Sequence, residues 1–303
     1  MTEFLLYFFV FPGFLFLSVA GILFSWADRK ASARLQWRMG PVFLQPFYDI
    51  AKLFVKETNV PEGANIWIFV LAPLVAFVSV ILGSDVLIVT WINPRSGFVG
   101  DLIVLLYLLA MPQIAMILGA SSSNNALASV GASREIKSIL GYELPLILSI
   151  IAVIIKSKGV SIGKIILAQQ QSGSFAHSFS GILALAVVIL CMQAKTGSGP
   201  FDMAEAETEV AGGTLIEYSG RLLALWKMSK MMFFVVSPLF ITAIFWCGGS
   251  LATIAAKVIF LVGLSILIKN TNPRVRIDQS IRFFWGFVSF FAAVAVIFAV
   301  VGY

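Results

Sequence analysis

The chain has 303 residues, of which 59% are hydrophobic and only 12% are charged. Soluble domains are nearer half apolar and a quarter charged, so the composition excludes an ordinary soluble enzyme and indicates an integral membrane protein. The net charge of +6 then reports topology in the membrane and not affinity for nucleic acid.

The apolar runs predict an all-α fold, with residues 1–303 forming one polytopic membrane domain. The first run is too long for a cleavable signal peptide, so we expect it to be a true span. A helix needs about 20 apolar residues to cross the hydrocarbon core. Eight candidate spans meet or approach this length, near 4–26, 66–92, 102–120, 136–155, 179–194, 222–247, 251–268 and 282–302.

The connections between these spans differ in charge. Four of them, about 27–65, 121–135, 195–221 and 269–282, hold most of the lysines and arginines, together with their flanks. The opposite connections hold Arg95, Lys156, Lys158 and Lys164. The positive-inside rule therefore predicts that the four basic loops are cytoplasmic and that both termini are outside.

The first basic loop contains an amphipathic segment. Four apolar residues recur at i, i+3, i+4 and i+7, namely Phe47, Ile50, Ala51 and Phe54. Lys52 and Lys56 fall on another face, so we expect a helix lying along the cytoplasmic surface of the membrane. This helix is either a plain interfacial anchor or a docking shelf for a soluble partner.

Three arginines precede that helix, Arg29, Arg34 and Arg38. Arginine binds lipid phosphates and the carboxylates of a partner protein equally well. The basic run is therefore compatible with both interpretations of the first loop.

The third basic loop, "GPFDMAEAETEVAGGTLIEYSG", concentrates acid in a chain that has little. It holds five of the 15 acidic residues, namely Asp202, Glu205, Glu207, Glu209 and Glu217. If the segment is helical, Asp202, Glu205 and Glu209 share one face while Glu207 points elsewhere. A solvated acidic loop is one interpretation. The apolar residues interleaved with the acids favour a folded segment, in which crowded carboxylates exchange protons.

A further acid, Glu143, lies well inside the fourth span. A carboxylate within a span is costly and by default marks an ion or proton path. Asp85 and Asp101 are nearer the outer face, and Asp101 is expected to cap its own helix. Lys227 and Lys230, within the sixth span, either extend to the cytoplasmic surface or neutralise the acidic loop.

The residues that commonly hold metals or act as nucleophiles are sparse. Cys191 and Cys247 stand apart in apolar surroundings, and we expect them to be buried structural thiols. His177, the one histidine, lies in an outer polar loop and is expected to be solvated. We therefore predict no metal site and no catalytic residue.

Four blocks of sequence resemble a known family. They are "DRKASARLQWRMGP" with "QPFYDIAKLFVKE", then "SSSNNALASVGASREIKSILGYELPL", "GPFDMAEAETEVAGGTLIEYSG" and "NPRVRIDQSIRFFW". In this order they are similar to the subunit-one, or heel, family of respiratory complex I over essentially the whole chain. That family joins the membrane arm to the soluble redox arm, which implies a prokaryotic plasma-membrane protein.

Two segments differ from the pattern of quinone-reducing members, and these differences indicate which branch of the family the chain resembles. "RMGPVFLQP" lacks the longer insertion usual in quinone-reducing members, and "ALWKMSKMM" stands where they tend to have an acidic ending. "GASREI" and "GYELPL" look closer to the membrane-anchor subunit of membrane-bound nickel–iron hydrogenases and related sulfane sulfur reductases. The resemblance thus implies a ferredoxin-dependent hydrogenase-type complex. The alternatives are a quinone-binding heel subunit and the equivalent subunit of a sulfane sulfur reductase.

The resemblance also implies roles for single residues. Four loop acids would face the partner subunit that carries the terminal 4Fe–4S cluster, namely Asp202, Glu205, Glu207 and Glu209. Glu143 and Glu217 would continue the chain of acids into the membrane. The docking residues for the soluble arm would be Arg29, Arg34, Arg38, Lys52 and Lys56.

The leading hypothesis is thus a subunit without a cofactor of its own in a redox-driven ion pump, with no redox chemistry by this chain alone. The implied partners are small-like and large-like soluble hydrogenase subunits, antiporter-like and small membrane subunits, and the lipid bilayer. An independent transporter is disfavoured because no internal repeat is visible. A passive anchor is disfavoured because an anchor has no need of Glu143.

Overall fold

The computed structural model describes residues 2–302, and the side chains of residues 6–206 and 209–302. The described part of the chain is helical and contains no strand. Its α-helices are α1 (Thr2–Phe9), α2 (Phe14–Leu35), α3 (Gln45–Val55), α4 (Ile66–Ile92), α5 (Asp101–Ser122), α6 (Ala126–Ser157), α7 (Ile162–Ser172), α8 (Phe179–Lys195), α9 (Glu207–Val210), α10 (Gly220–Phe245), α11 (Leu251–Thr271), α12 (Ile277–Arg282) and α13 (Ser289–Val301). A π-helical segment, Phe283–Val288, joins α12 to α13.

The predicted spans are confirmed in number and place. Seven helical stretches among the described residues are long and apolar enough to cross a membrane, and α8 is a shorter apolar helix of 17 residues. Seventeen residues are the lower limit for a span. Together these helices make the chain a multi-pass membrane protein.

The helix boundaries differ from the expected loops. α2 continues to Leu35, so the segment expected to begin the first loop at residue 27 is helical and carries Arg29 and Arg34. α6 begins at Ala126, where the Asn125 side chain accepts a hydrogen bond from the Leu127 N–H and caps the helix. Apolar periodicity carries no information about where a helix ends once it leaves the membrane.

The helix α10 is the centre of the bundle. It contacts α2, α3, α4, α8 and α11, and 78% of the residues in its most apolar stretch are buried, against 22% for α11. A second layer is formed by α6, which packs on α8 and α13. The connections that follow α2, α5, α8 and α11 all gather at one end of the bundle, which we call the basic end.

The predicted amphipathic helix is α3, which lies at the basic end against α10 and α2. Pro46 and Ile50 are buried, whereas Phe47 and Phe54 remain 51% and 42% exposed. Because the two aromatic side chains are not covered by this chain, the apolar face of α3 is free to contact lipid or a partner, as either interpretation requires.

Candidate functional site

The acid inside the fourth span has a buried basic partner. Lys195, the last residue of α8, places its Nζ 2.6 Å from Oε1 of Glu143 on α6. The Lys195 side chain is 1% exposed and that of Glu143 is 26% exposed. The Gln113 side chain on α5 donates to the Lys195 carbonyl at 2.7 Å and fixes the end of α8. The carboxylate is therefore one half of an ion pair at the junction of three helices.

The acidic loop is folded, and its acids point to different cations. Arg274 makes two hydrogen bonds to Asp202, Nε to Oδ1 at 2.8 Å and Nη2 to Oδ2 at 2.6 Å. Lys230 on α10 lies 2.6 Å from Glu205. This pairing confirms, for Lys230, the interpretation that the lysine neutralises the acidic loop.

The expectation of a single acidic helical face is wrong. The chain forms turns around Asp202 and Glu205, and the one short α-helix of the loop, α9, begins only at Glu207. Glu209 forms an ion pair with Arg134 on α6. The predicted crowding is avoided because each acid has a separate cation on a separate element. The Glu207 side chain lies outside the described residues.

The last acid of the loop has a structural position. Asn125, the residue that caps α6, donates a hydrogen bond from Nδ2 to Glu217. Next to it, the Tyr218 hydroxyl donates to the Phe69 carbonyl at 3.2 Å, and burial raises the pKa of Tyr218. Glu217 is not among the residues that line the two cavities described below, so it stands apart from the other acids.

Two adjoining cavities open among these charges. The inner cavity, of about 540 Å³ including the part open to solvent, reaches Lys195 and is bordered by Glu205 and Lys230. The charged groove, of about 1260 Å³, shares that border and extends past Lys227 to Arg274. The two spaces form a route from the surface of the basic end to the buried Lys195–Glu143 pair.

Glu135 on α6 is a site residue that the sequence reasoning missed. It lines the inner cavity, and Glu205 and Lys230 are the charges that act on it. Among the described side chains, none forms an ion pair with Glu135. The residue lies eight positions before Glu143, and residues seven or eight apart share a helix face. That spacing is visible in "GASREIKSILGYELPL", but the sequence alone does not show that this face of α6 borders a cavity.

One acid of the cluster is left without an ion pair. Among the four carboxylates, Glu143 pairs with Lys195, Glu205 with Lys230 and Asp202 with Arg274, whereas Glu135 has no ion-pair partner among the described side chains. Lys227, which also lines the charged groove, balances the fourth negative charge when all are ionised. Glu135 is thus the acid of the cluster that can take up a proton without breaking an ion pair.

Buried polar atoms at the inner cavity have spare hydrogen-bonding capacity. Oε1 of Gln113 and Nε1 of Trp226 both belong to residues that line the cavity. The hydroxyl of Tyr142, the residue directly before Glu143 on α6, is also fully buried. Among described residues neither Oε1 of Gln113 nor the Tyr142 hydroxyl has a hydrogen-bond partner. The wall of the cavity thus offers a free acceptor at Gln113, which suits a hydrated path for protons or small cations.

The basic residues expected to dock a soluble partner do not form one patch. Arg29 donates from Nη1 to Asp49 of α3 at 2.8 Å, and this bond holds the pKa of Asp49 below its usual range. Arg34 lines a separate apolar groove between α2 and α11, and Arg38 is exposed in the loop. Lys52 on α3 and Lys56, which directly follows that helix, are both exposed.

At the opposite end of the bundle Asp101 has a structural role, whereas the carboxylate oxygens of Asp85 are buried and have no hydrogen-bond partner among the described residues. Asp101 does not cap its own helix. Its Oδ1 accepts from the Ile162 N–H at 2.7 Å and thereby caps α7, a helix that the sequence reasoning did not predict. His177 is exposed, as expected. Among the described residues no group of three or more His, Cys, Asp or Glu side chains is placed to hold a metal ion.

Comparison with known proteins places the chain in a family. The family model described as NADH dehydrogenase matches residues 7–300. An H-type subunit of the NADH-quinone oxidoreductase of Geobacter metallireducens is 32% identical over 305 residues, covering 90% of this chain and 88% of that protein. The H-type subunit of the same enzyme from Dehalococcoides mccartyi is also 32% identical over 305 residues, covering 94% and 82%.

Among solved structures, the chain is similar to one from the membrane-bound sulfane sulfur reductase, an archaeal respiratory membrane complex. The TM-score is 0.83 at 27% sequence identity, and the match covers 94% of this chain and 96% of that chain. The chain therefore belongs to the NADH dehydrogenase subunit 1 family, as an H-type membrane subunit of a complex I-like oxidoreductase.

Proposed function

We propose that this subunit couples electron transfer in a neighbouring soluble subunit to ion movement through the charge cluster at the basic end. The chain itself would carry no redox cofactor. The observation that supports this most directly is the series Asp202–Arg274, Glu205–Lys230, Glu135 and Glu143–Lys195, which runs from the acidic loop to the middle of α6.

The mechanism follows from the acid of the cluster that has no ion pair. A 4Fe–4S cluster held by an adjacent subunit would supply the electron transfer, and the negative charge of an added electron would favour proton uptake by nearby carboxylates, because the electron and the proton attract each other. Glu135 is the natural first acceptor, since it has no ion-pair partner among the described side chains. Coupled groups then titrate as one unit.

The lysine partners respond when the proton moves on. Once Glu135 is neutral, Lys230 is balanced by Glu205 alone, and Lys195 by Glu143. A proton passed towards Glu143 weakens its hold on the Lys195 ammonium, which the Tyr142 ring faces at 5.8 Å. Rearrangement of that one lysine would open or close the path at its inner end.

We infer the type of complex from the two segments in which the sequence differs from quinone-reducing members of the family. A short "RMGPVFLQP" turn and two lysines after the acidic loop favour a ferredoxin-dependent membrane-bound hydrogenase over a quinone-reducing enzyme. The second candidate is a membrane-bound sulfane sulfur reductase, which the structural similarity favours. The partners would be small-like and large-like soluble subunits, antiporter-like membrane subunits and small membrane subunits, with the basic end in the cytoplasm of a prokaryotic cell.

The proposal is tested by removing the unpaired acid from the assembled complex. Glu135→Gln keeps the shape of the side chain, and we expect redox turnover to continue while the ion gradient formed per turnover in membrane vesicles falls. Asp278→Asn, at an exposed carboxylate outside the cluster, is the matched control and should leave the ratio unchanged. An unchanged ratio in Glu135→Gln would overturn the proposal.

The copurifying subunits test the branch separately. A large soluble subunit with two intact Cys-x-x-C pairs supports the hydrogenase. Loss of some of those cysteines supports sulfur or quinone chemistry instead, and these two are separated by assaying the purified complex with a sulfane sulfur acceptor and with a quinone.

A further inference from the structure

A second space at the basic end has a different lining from the charged cavities. It lies between α2 and α11, has a volume of about 870 Å³, and is walled by apolar residues such as Leu35, Phe260 and Leu267. Arg34 is its one charged residue. We call this space the α2–α11 groove.

The groove exists because α2 and α11 contact each other through a few polar side chains, and no large side chain of α11 fills the space beside these contacts. Lys269 pairs with Asp28 at 2.7 Å, and Asn270 donates to Ser32 Oγ at 3.0 Å. Beside these contacts, α11 has Gly263, where an added Cβ would meet nothing within 4 Å. From Phe260 to Leu267 the groove follows α11 for about 10 Å, at 1.5 Å per residue.

The groove opens to the surroundings of the bundle. Leu35, Phe260 and Leu267 are 50%, 58% and 48% exposed. The same residues of α11 belong to the apolar stretch of a membrane span that ends near Ile268. Exposed apolar walls at this depth are contacted by acyl chains in a bilayer, and no water-soluble ligand matches them.

Arg34 determines which polar group a ligand of the groove must carry. No described side chain accepts a hydrogen bond from its guanidinium or forms an ion pair with it. Arg29, one and a half turns earlier, differs because Asp49 already neutralises it. A guanidinium with five donors at the edge of an apolar groove fits a phosphate, which it binds in a bidentate manner.

We propose that the α2–α11 groove is a binding site for one anionic phospholipid, with its phosphate on Arg34 and an acyl chain against Gly263. This gives Arg34 a role distinct from docking the soluble arm. The inference is independent of the proposed ion coupling, because none of the carboxylates of the charge cluster lines the groove.

The test uses the assembled complex in nanodiscs and native mass spectrometry after delipidation. We expect wild type to retain one phosphatidylglycerol, and both Arg34→Gln and Gly263→Leu to retain it to a smaller extent. Leucine at position 263 fills the groove and improves helix propensity, so folding should be preserved. Arg38→Gln, in the exposed loop, is the control and should retain the lipid. Because a basic residue near a bilayer surface contributes about 1 kcal/mol, Arg34→Gln should weaken the lipid's affinity about fivefold.

Three outcomes would overturn the proposal. The first is equal retention of the lipid by all variants. The second is displacement of the lipid by inorganic phosphate alone, which would assign Arg34 to a free anion. The third is a cross-link from Leu267→Cys to another membrane subunit, which would show that a protein helix fills the groove in the complex. A cross-link to a lipid-borne reagent at the same position supports the proposal.

Discussion

The inner cavity and the α2–α11 groove lie at the same end of the bundle, yet their walls have opposite chemistry. In the cavity, Lys195 and Lys230 each have a carboxylate within 2.6 Å. In the groove, Arg34 stands alone among the described side chains above apolar walls. A charge in a membrane protein needs a counter-charge from somewhere. The cavity obtains it within this chain, and in the groove the proposed phospholipid would supply it.

Helix position explains this difference. The cavity is formed around α10, which is enclosed by neighbours on most sides, so its charges must be neutralised internally. The groove is formed by α2 and α11, which lie at the edge, where lipid or another subunit completes the structure. Three predictions test individual ion pairs at this end of the bundle, beginning with the largest expected effect.

Breaking the most buried pair should destabilise the protein most. Glu143→Ala leaves the Lys195 ammonium buried without a partner, which typically costs about 3–5 kcal/mol. We expect a lower thermal unfolding midpoint for the assembled complex in detergent. The double variant Glu143→Gln/Lys195→Met should recover most of that loss because it removes both charges. If the double variant is as unstable as the single one, the two side chains are not an electrostatic unit.

Breaking the half-exposed pair should matter less for stability than for coupling. Lys230→Met removes the cation beside Glu205, and a pair that water reaches contributes about 1 kcal/mol or less. We expect nearly unchanged unfolding but a smaller ion gradient per turnover in vesicles. Lys164→Met, at an exposed lysine of α7 that lines neither cavity, is the control. Equal coupling in both variants would remove Lys230 from the path.

The smallest expected effect concerns α3. Arg29 lowers the pKa of Asp49, so the pairing contributes fully above the ordinary aspartate pKa near 3.8 and is lost as pH falls through the lowered value. After correction for the intrinsic slowing of amide exchange in acid, the protection of residues 45–55 in nanodiscs should therefore fall as the pH is taken below about 4. Asp49→Asn should exchange faster at neutral pH and lack this acid-dependent step. A wild-type protein with the same exchange pattern as Asp49→Asn would show that the bond does not anchor α3.

The sequence determined much of the fold for a definite physical reason. A bilayer requires about 20 apolar residues per span, and this requirement leaves a pattern along the chain that needs no knowledge of contacts. The amphipathic helix α3 was predicted in the same way, from the spacing of Phe47 to Phe54. The unusual position of Glu143 was also visible in the sequence, since a carboxylate within a span is rare wherever it lies.

The tertiary structure decided which charges meet. Lys195 lies 52 positions from Glu143, and Arg274 lies 72 positions from Asp202, so no local pattern records either pair. Glu135 belongs to the charge cluster because it lies near Glu205 and Lys230 in the folded chain. Asp101 caps α7 because packing brings the start of that helix next to it. Periodicity tells which face of a helix is apolar, but the partner of a charge depends on how distant helices cross, and that is a property of the whole fold.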